Sequence, residues 1–325
     1  MRNSPSIVPS ADTRADTKFA LPVVRGCFAD FDEFTESAAD WDIDFRQVGT
    51  GLLSADLLQL LDPQFTISKA TFDRRCLQSG ASPDGMRTFA ILDNGAPETR
   101  FCGQVLDVNT IALFSKNGEF ESSSPPGFDV FTLSIDETLL TELAGHSGGQ
   151  SLHELLPDST VVLPFRPGLL ESLRTNLKQL FIPMQFQQFE LAKQNIAAEL
   201  LNLLGNRPSI DCTDHRLRRH ELLRKAKEFI REHLADPVRV RDVAIAMGVT
   251  VRTVELVFKE LLDVTPRTYI MTARLYAFRR SLKVAPPEKT IADIAGEWGY
   301  WHLGQLARDY RSRFGELPSH TLART

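Results

Sequence analysis

The sequence predicts an α+β chain: an amino-terminal β-barrel or sandwich, linker helices, and an all-α carboxy-terminal third. Three observations predict it. From about 40 to 135, short apolar runs alternate with turn signals; from about 168 to 204, apolar residues recur at helical spacing; and from Val240 onward one helix-glycine-helix unit occurs twice, fifty-one residues apart.

The 325 residues, 42% hydrophobic and 24% charged, are enough for two domains with buried cores. No apolar run approaches the ~18 residues of a membrane span. MRNSPSIVPSADTRADTK has no signal-peptide core. Residues 1–27 are expected to be a flexible terminus, and a cytoplasmic chain with no membrane partner is expected. Cys27, Cys76, Cys102 and Cys212 have no C-x-x-C spacing, which predicts reduced thiols and no zinc site.

DFRQV, QFTISKATFDRRCLQS, RTFAIL, TRFCGQVL, TIALFS and FDVFTLSI read as antiparallel strands, separated by SGASPDG, DNGAP, SKNGEF and SSSPPG. Twelve phenylalanines from Phe28 to Phe131 supply the interior, and a few could line a small-molecule cavity. Arg74 and Arg75 are neighbours on a strand, so one of them points inward and needs a carboxylate. That carboxylate belongs either to the protein, as an ion pair, or to an effector.

Enzyme chemistry finds little support. The first histidine is His146, beyond the strands, so no metal-ligand set, and hence no metal or other cofactor, is indicated. GHSGGQ at 145–150 lacks the Lys-Ser/Thr of a phosphate loop, and no G-x-S-x-G is present.

The segment LLESLRTNLKQLFIPMQFQQFELAKQNIAAELLNLLG predicts amphipathic helices interrupted at Pro183. Their apolar stripe either packs on the strands or pairs with its twin in a homodimer. GNRPSIDCTDH is a polar linker.

In the duplicated unit Val240 falls on Ile291, Asp242 on Asp293, Ala244 on Ala295 and Gly248 on Gly299; after a one-residue insertion Phe258 falls on Tyr310 and Pro266 on Pro318. Each copy has the layout of a helix-turn-helix, with glycine where a positive φ turns the chain. Residues 215–325 hold 21 Lys plus Arg against 13 Asp plus Glu (+8); the remainder holds 16 against 29 (−13). Such asymmetry is a footprint of nucleic-acid binding, because a cationic face releases counterions from phosphates.

Helical periodicity turns Val254, Val257, Phe258 and Leu261 inward. Arg252, Thr253, Glu255 and Leu256 are left as base readers, with Thr250 and Lys259 beside them as phosphate contacts. In the second copy Trp298, Leu306, Tyr310 and Phe314 turn inward. His302, Gln305 and Arg308 read bases, and Arg311 and Arg313 flank them on phosphates, as does Arg267 between the copies. Trp298, Tyr300 and Trp301 are predicted to be core wedges. PRTYIMTARLYAFRRSL, 266–282, is one helix opened by Pro266 that holds the modules apart.

Residues 219–325 resemble the tandem helix-turn-helix domain of the AraC/XylS family of bacterial transcription regulators. The resemblance rests on DVAIAMGVTVRTVELVFKELLDVTPRTYI, Arg274-Leu275 and IADIAGEWGYWHLGQLARDYRSRFGELPSHTL. The second module is similar to the branch that includes ethanolamine-utilisation regulators, where W-G-[FY]-W-H-L stands here. The resemblance implies a cupin-like effector or partner domain at 28–165, dimerisation helices at 166–204 and a linker at 205–218. It also implies a DNA-binding domain at 219–325, with modules at 219–265 and 288–318 joined by helix 266–282. Such a protein is an effector-responsive regulator, more often activator than repressor, working as a homodimer with promoter DNA and RNA polymerase. The alternative is a co-regulator or scaffold that does not bind DNA. Trp301 and His302 depart from the family's small capping residue, and Leu256 stands where relatives carry a polar reader.

Overall fold

The computed structural model describes residues 23–38, 41–95, 99–116, 118–146, 152–206 and 214–324. Most of the predicted flexible terminus and the middle of the predicted linker lie outside them. The amino-terminal half runs β1 (Val23–Phe28), α1 (Phe31–Ser37), β2 (Asp42–Gln47), β3 (Ala55–Leu60), β4 (Phe65–Phe72), β5 (Cys76–Ala81) and β6 (Met86–Leu92). It continues through β7 (Thr99–Phe101), β8 (Gln104–Leu106), β9 (Thr110–Leu113), β10 (Glu119–Ser124), β11 (Phe128–Asp136), α2 (Glu137–His146), α3 (Leu152–Leu155) and β12 (Val161–Pro164).

The strands form two antiparallel sheets, ordered β1-β3-β4-β11-β6-β9-β12 and β2-β5-β10-β7-β8. The arrangement is therefore a sandwich and not a closed barrel. Residues 23–27, expected to be flexible, form most of edge strand β1: its backbone pairs with β3 from Val23↔Leu60 to Phe28↔Ala55. The run VVRGCF is short and carries Gly26, so alternation alone did not mark it as a strand.

Period-two alternation gives the seven-stranded sheet two apolar faces. Phe89 and Ile91 join Phe65 and Phe131 on the outer face, while Ala90 and Leu92 join Phe72 and Val130 on the inner face. The outer face is covered by α4 (Glu171–Gln179) and α5 (Phe186–Gly205), separated around Pro183; Leu173, Leu177, Phe189, Ile196 and Leu200 enter its core. The stripe predicted for these helices is thus buried on the strands, the first of the two alternatives. Ile182, Phe186 and Leu191 stay exposed beside it.

The carboxy-terminal part runs α6 (Asp214–Glu232), α7 (Val240–Ala246), α8 (Val251–Leu262), α9 (Pro266–Lys283), α10 (Ile291–Glu297), α11 (Leu303–Phe314) and α12 (Pro318–Leu322). Two small cores form, one around Phe258 under α6–α8 and one around Phe278 and Tyr310 under α10–α11; α9 contributes to both, and Trp298 packs on both. The cluster around Phe258 also contains Leu77 of β5, so the sandwich and the first module share a core.

Candidate nucleic-acid interface

The two modules are built by the same backbone bonds. In the first, Gly248 takes φ +65° and the Val249 N–H donates to the Ala244 carbonyl at 3.0 Å; in the second, Gly299 takes φ +70° and the Tyr300 N–H donates to the Ala295 carbonyl at 2.9 Å. The helices that follow end alike, on Asp263 and Gly315, both left-handed, whose N–H groups reach the Lys259 and Arg311 carbonyls. Pro266 and Pro318 then open the next helices. A residue with a Cβ would be strained at either turn glycine, and at Gly299 that carbon would meet the Ala235 carbonyl oxygen at 2.9 Å.

Val254, Val257, Phe258 and Leu261 are buried, which leaves Arg252, Glu255, Leu256 and Lys259 exposed along α8 with Thr253 half-buried. Thr250 accepts from the Thr253 N–H at 3.1 Å. This hydroxyl therefore caps the helix, and its expected phosphate contact competes with that role. Lys259 pairs with Asp263, and Arg267 is exposed at the start of α9.

On α11, His302, Gln305, Arg308 and Arg311 are exposed. Arg308 Nη2 donates to Gln305 Oε1 at 2.9 Å, and Gln305 Nε2 donates to Asp309 Oδ1 at 2.7 Å. The chain of bonds aims the guanidinium fork outward and engages both ends of the Gln305 amide. Arg308 is thus exposed on this helix and held by Gln305.

Expectations are corrected here for Trp301, Arg313 and the strand placement of Arg74 and Arg75, and an open alternative is resolved. Trp301, expected to be a core wedge, is 80% exposed, whereas Trp298 donates to Ser281 Oγ at 2.9 Å and Tyr300 packs on Phe278. The one-residue insertion swings Trp301 off the core. Arg313, expected on phosphate, donates from Nη1 to the Gln47 carbonyl at 2.5 Å in the amino-terminal domain. It lies on the side of α11 that meets the sandwich. Arg75, one of the two arginines offered for an effector, pairs with Asp263 at the end of α8. Both arginines lie in the turn between β4 and β5 and not on a strand, so neither is the expected inward-pointing one, and Arg74 pairs with Asp73 at 3.4 Å. Of the alternatives left open for this pair, these contacts are protein ion pairs.

These contacts belong to an interface that sequence reasoning missed. Gln47 accepts Arg313, its N–H donates to the Tyr276 hydroxyl at 2.7 Å, and its amide donates to the Arg313 carbonyl at 3.0 Å. The Gly51 N–H reaches the Ser312 carbonyl at 2.7 Å. Around them Asp30 binds Arg279 at 2.7 Å and Lys283 at 2.6 Å, and Asp44 binds Arg280 at 2.5 Å. Burial raises the Asp30 carboxyl, but Arg279 and Lys283 more than offset this and hold it below the ordinary carboxylate value; Asp44 is held down likewise against burial by Arg46 and Arg280. The only advance signal was the opposite charge of the two halves, which read as a footprint of nucleic acid.

Between the sheets lies a cavity of about 60 Å³ lined by Trp41, Phe45, Phe72, Phe101, Phe114 and Phe120 among others, with no charged side chain. The buried Ser68 hydroxyl lines it without a hydrogen-bond partner. No group of three or more His, Cys, Asp or Glu that could hold a metal occurs among the described residues. No helix among them is long and apolar enough to cross a membrane.

Residues 243–324 match the family described as "Helix-turn-helix domain". The chain is 31% identical over 117 residues to the "Probable thc operon regulatory protein" of Rhodococcus erythropolis, covering 34% of this chain and 35% of that one. It is 31% identical over 128 residues to the "XylDLEGF operon transcriptional activator" of Pseudomonas putida, covering 39% of each. The chain thus spans little more than a third of the length of these relatives. Among solved structures it is similar to the AraC-like transcriptional activator CuxR, at 14% identity and TM-score 0.39 over 78% of this chain and 91% of that one. It is also similar to the unsaturated-fatty-acid-bound ToxT of Vibrio cholerae, at 13% identity and TM-score 0.33 over 80% and 95%. On the matched sequence and the repeated turn geometry, the carboxy-terminal third of the chain holds two helix-turn-helix modules in tandem.

Proposed function

We propose that the chain is a transcription regulator, an activator more than a repressor, whose α8 and α11 read neighbouring major-groove segments on one face of a promoter. The carrying observation is that both reading faces are exposed while the opposite sides of α8 and α11 are buried in the cores of their modules. Arg252 and Glu255 read bases from the first module and Arg308 from the second; Lys259, Arg267 and Arg311 position the protein on phosphates. Helix α9, 18 residues and about 27 Å long at 1.5 Å per residue, spaces the modules on the scale of a duplex turn, ~34 Å. A reading face retired from DNA binding has no use for an oriented guanidinium fork, which disfavours the co-regulator alternative.

The sandwich is proposed as the effector domain. Its cavity favours a small uncharged molecule, because a buried charge without a partner is costly. Strands β2 and β5 line the cavity with Phe45 and Gln78, and on the same strands Gln47, two residues beyond Phe45, and Leu77, adjacent to Gln78, touch the modules, which supports a mechanical route from ligand to reading helices. The same reading has the chain work in the cytoplasm as a homodimer that recruits RNA polymerase, with Ile182, Phe186 and Leu191 as the apolar contact. The test is a gel-shift series against the DNA upstream of its own gene. The expected result is a sequence-preferring complex whose log affinity falls linearly with log salt; equal binding to all duplexes would contradict the proposal.

A further inference from the structure

Aligning α8 with α11 at Phe258 and Tyr310 places Val251 on Leu303, Arg252 on Gly304 and Leu256 on Arg308, and leaves Trp301 in the inserted position. Both helices begin on an exposed apolar residue, Val251 at 38% and Leu303 at 44%; beyond that shared feature the two modules order their groups differently. Along α8 the fork-shaped donor Arg252 comes next and the apolar Leu256 follows one turn later. Along α11 the apolar groups come first, Trp301 at 80% exposure and Leu303 at 44%, and the fork Arg308 follows. Gly304 puts no side chain between them. Trp301 enters neither module's core, although a tryptophan is among the side chains that gain most from burial. It immediately precedes His302, the residue that starts α11, and in helix-turn-helix proteins the first residues of the reading helix meet base edges.

We propose that Trp301 is a specificity residue that packs, with Leu303, against thymine methyl groups in the major groove at one end of the half-site read by α11. This rests on the DNA-binding reading above. The consequence is an operator of two unlike half-sites. In the direction of each reading helix, the first offers guanine to Arg252 and then a thymine methyl to Leu256; the second offers thymine methyls to Trp301 and then guanine to Arg308. Leu256, an odd choice for a base reader, gains a counterpart.

The test uses the full chain. Duplexes are selected from a random pool, and each dT of the winner is replaced in turn by dU, which removes only the methyl group. Wild type is expected to lose about fourfold in affinity at each contacted thymine, the worth of one buried methylene. Trp301→Ala is expected to bind more weakly and to become indifferent to dU at the end of the second half-site, while keeping its preference for guanine opposite Arg308, which shows the module still folded. Trp301→Phe is expected to restore part of the methyl response. A Trp301→Ala protein with wild-type affinity and an unchanged dU pattern overturns the proposal and leaves the indole to a protein partner. A wild type that enriches no duplex overturns the DNA-binding reading itself.

Discussion

Replacing Arg308 with alanine and Arg311 with alanine gives two variants that remove the same charge from the same helix, three residues apart. Their proposed roles give them opposite consequences. Arg308 is exposed and held by Gln305 at 2.9 Å, so its fork is pre-oriented outward; Arg311 is exposed a turn closer to the end of α11. A bidentate pair with guanine discriminates by about 1–3 kcal/mol, or roughly 5- to 160-fold. Arg308→Ala should lose that factor on the selected operator and lose almost nothing on a scrambled duplex. Arg308→Lys keeps the charge but not the fork and should lose nearly as much preference. Arg311→Ala should weaken all duplexes alike and flatten the slope of log affinity against log salt by about 0.9. Fluorescence anisotropy on operator and scrambled duplexes across several salt concentrations reads both quantities. If Arg311→Ala relaxes preference while Arg308→Ala acts uniformly, the roles derived from exposure and bonding are wrong.

Gly248→Ala should cost about 1–2 kcal/mol, the left-handed penalty of a side chain with a Cβ. Gly299→Ala should cost clearly more, because its Cβ meets the Ala235 carbonyl at 2.9 Å where Gly248 has open space; urea unfolding of the two variants compares them. Asp30→Asn should loosen the sandwich from α9 by about 3 kcal/mol, since Arg279 is buried and keeps only Glu316 as a partner, with faster exchange of the Gln47 amide hydrogen as the readout. The folded Asp30 and Asp44 carboxyls lie below their ordinary value, so their contribution is complete above about pH 4 and is lost as pH falls through the depressed values. Xenon should bind the interior cavity, giving a saturable ¹²⁹Xe shift that Ala70→Leu abolishes, because dry apolar cavities accept it and Ala70 lines this one. A shift unchanged in Ala70→Leu would mean that the gas sits elsewhere.

Periodicity and turn chemistry made much of this molecule legible. Gly248 and Gly299 stand where their positive φ is needed, and the inward set Val254, Val257, Phe258 and Leu261 follows from helical spacing alone. Alternation made β2, β4 to β9 and β11 legible but not β1, β3, β10 or β12, and the choice between barrel and sandwich depends on which strands pair, which alternation does not encode. The missed interdomain contacts share one physical origin. Arg75 pairs with Asp263 and Arg313 with Gln47, partners 188 and 266 residues away, and no local pattern encodes such a contact. Trp301 was misread because an aromatic among aromatics resembles core, while the inserted residue moves it a fraction of a turn out of the packed stripe.

The most direct measurement of the central claim, that two modules held at a fixed spacing read one face of a duplex, is a hydroxyl-radical footprint of the full chain on its selected operator. Two protected patches about 10 base pairs apart on the same face are expected, with Arg252→Ala fading one and Arg308→Ala fading the other. A single patch, or two that both variants weaken equally, would contradict it.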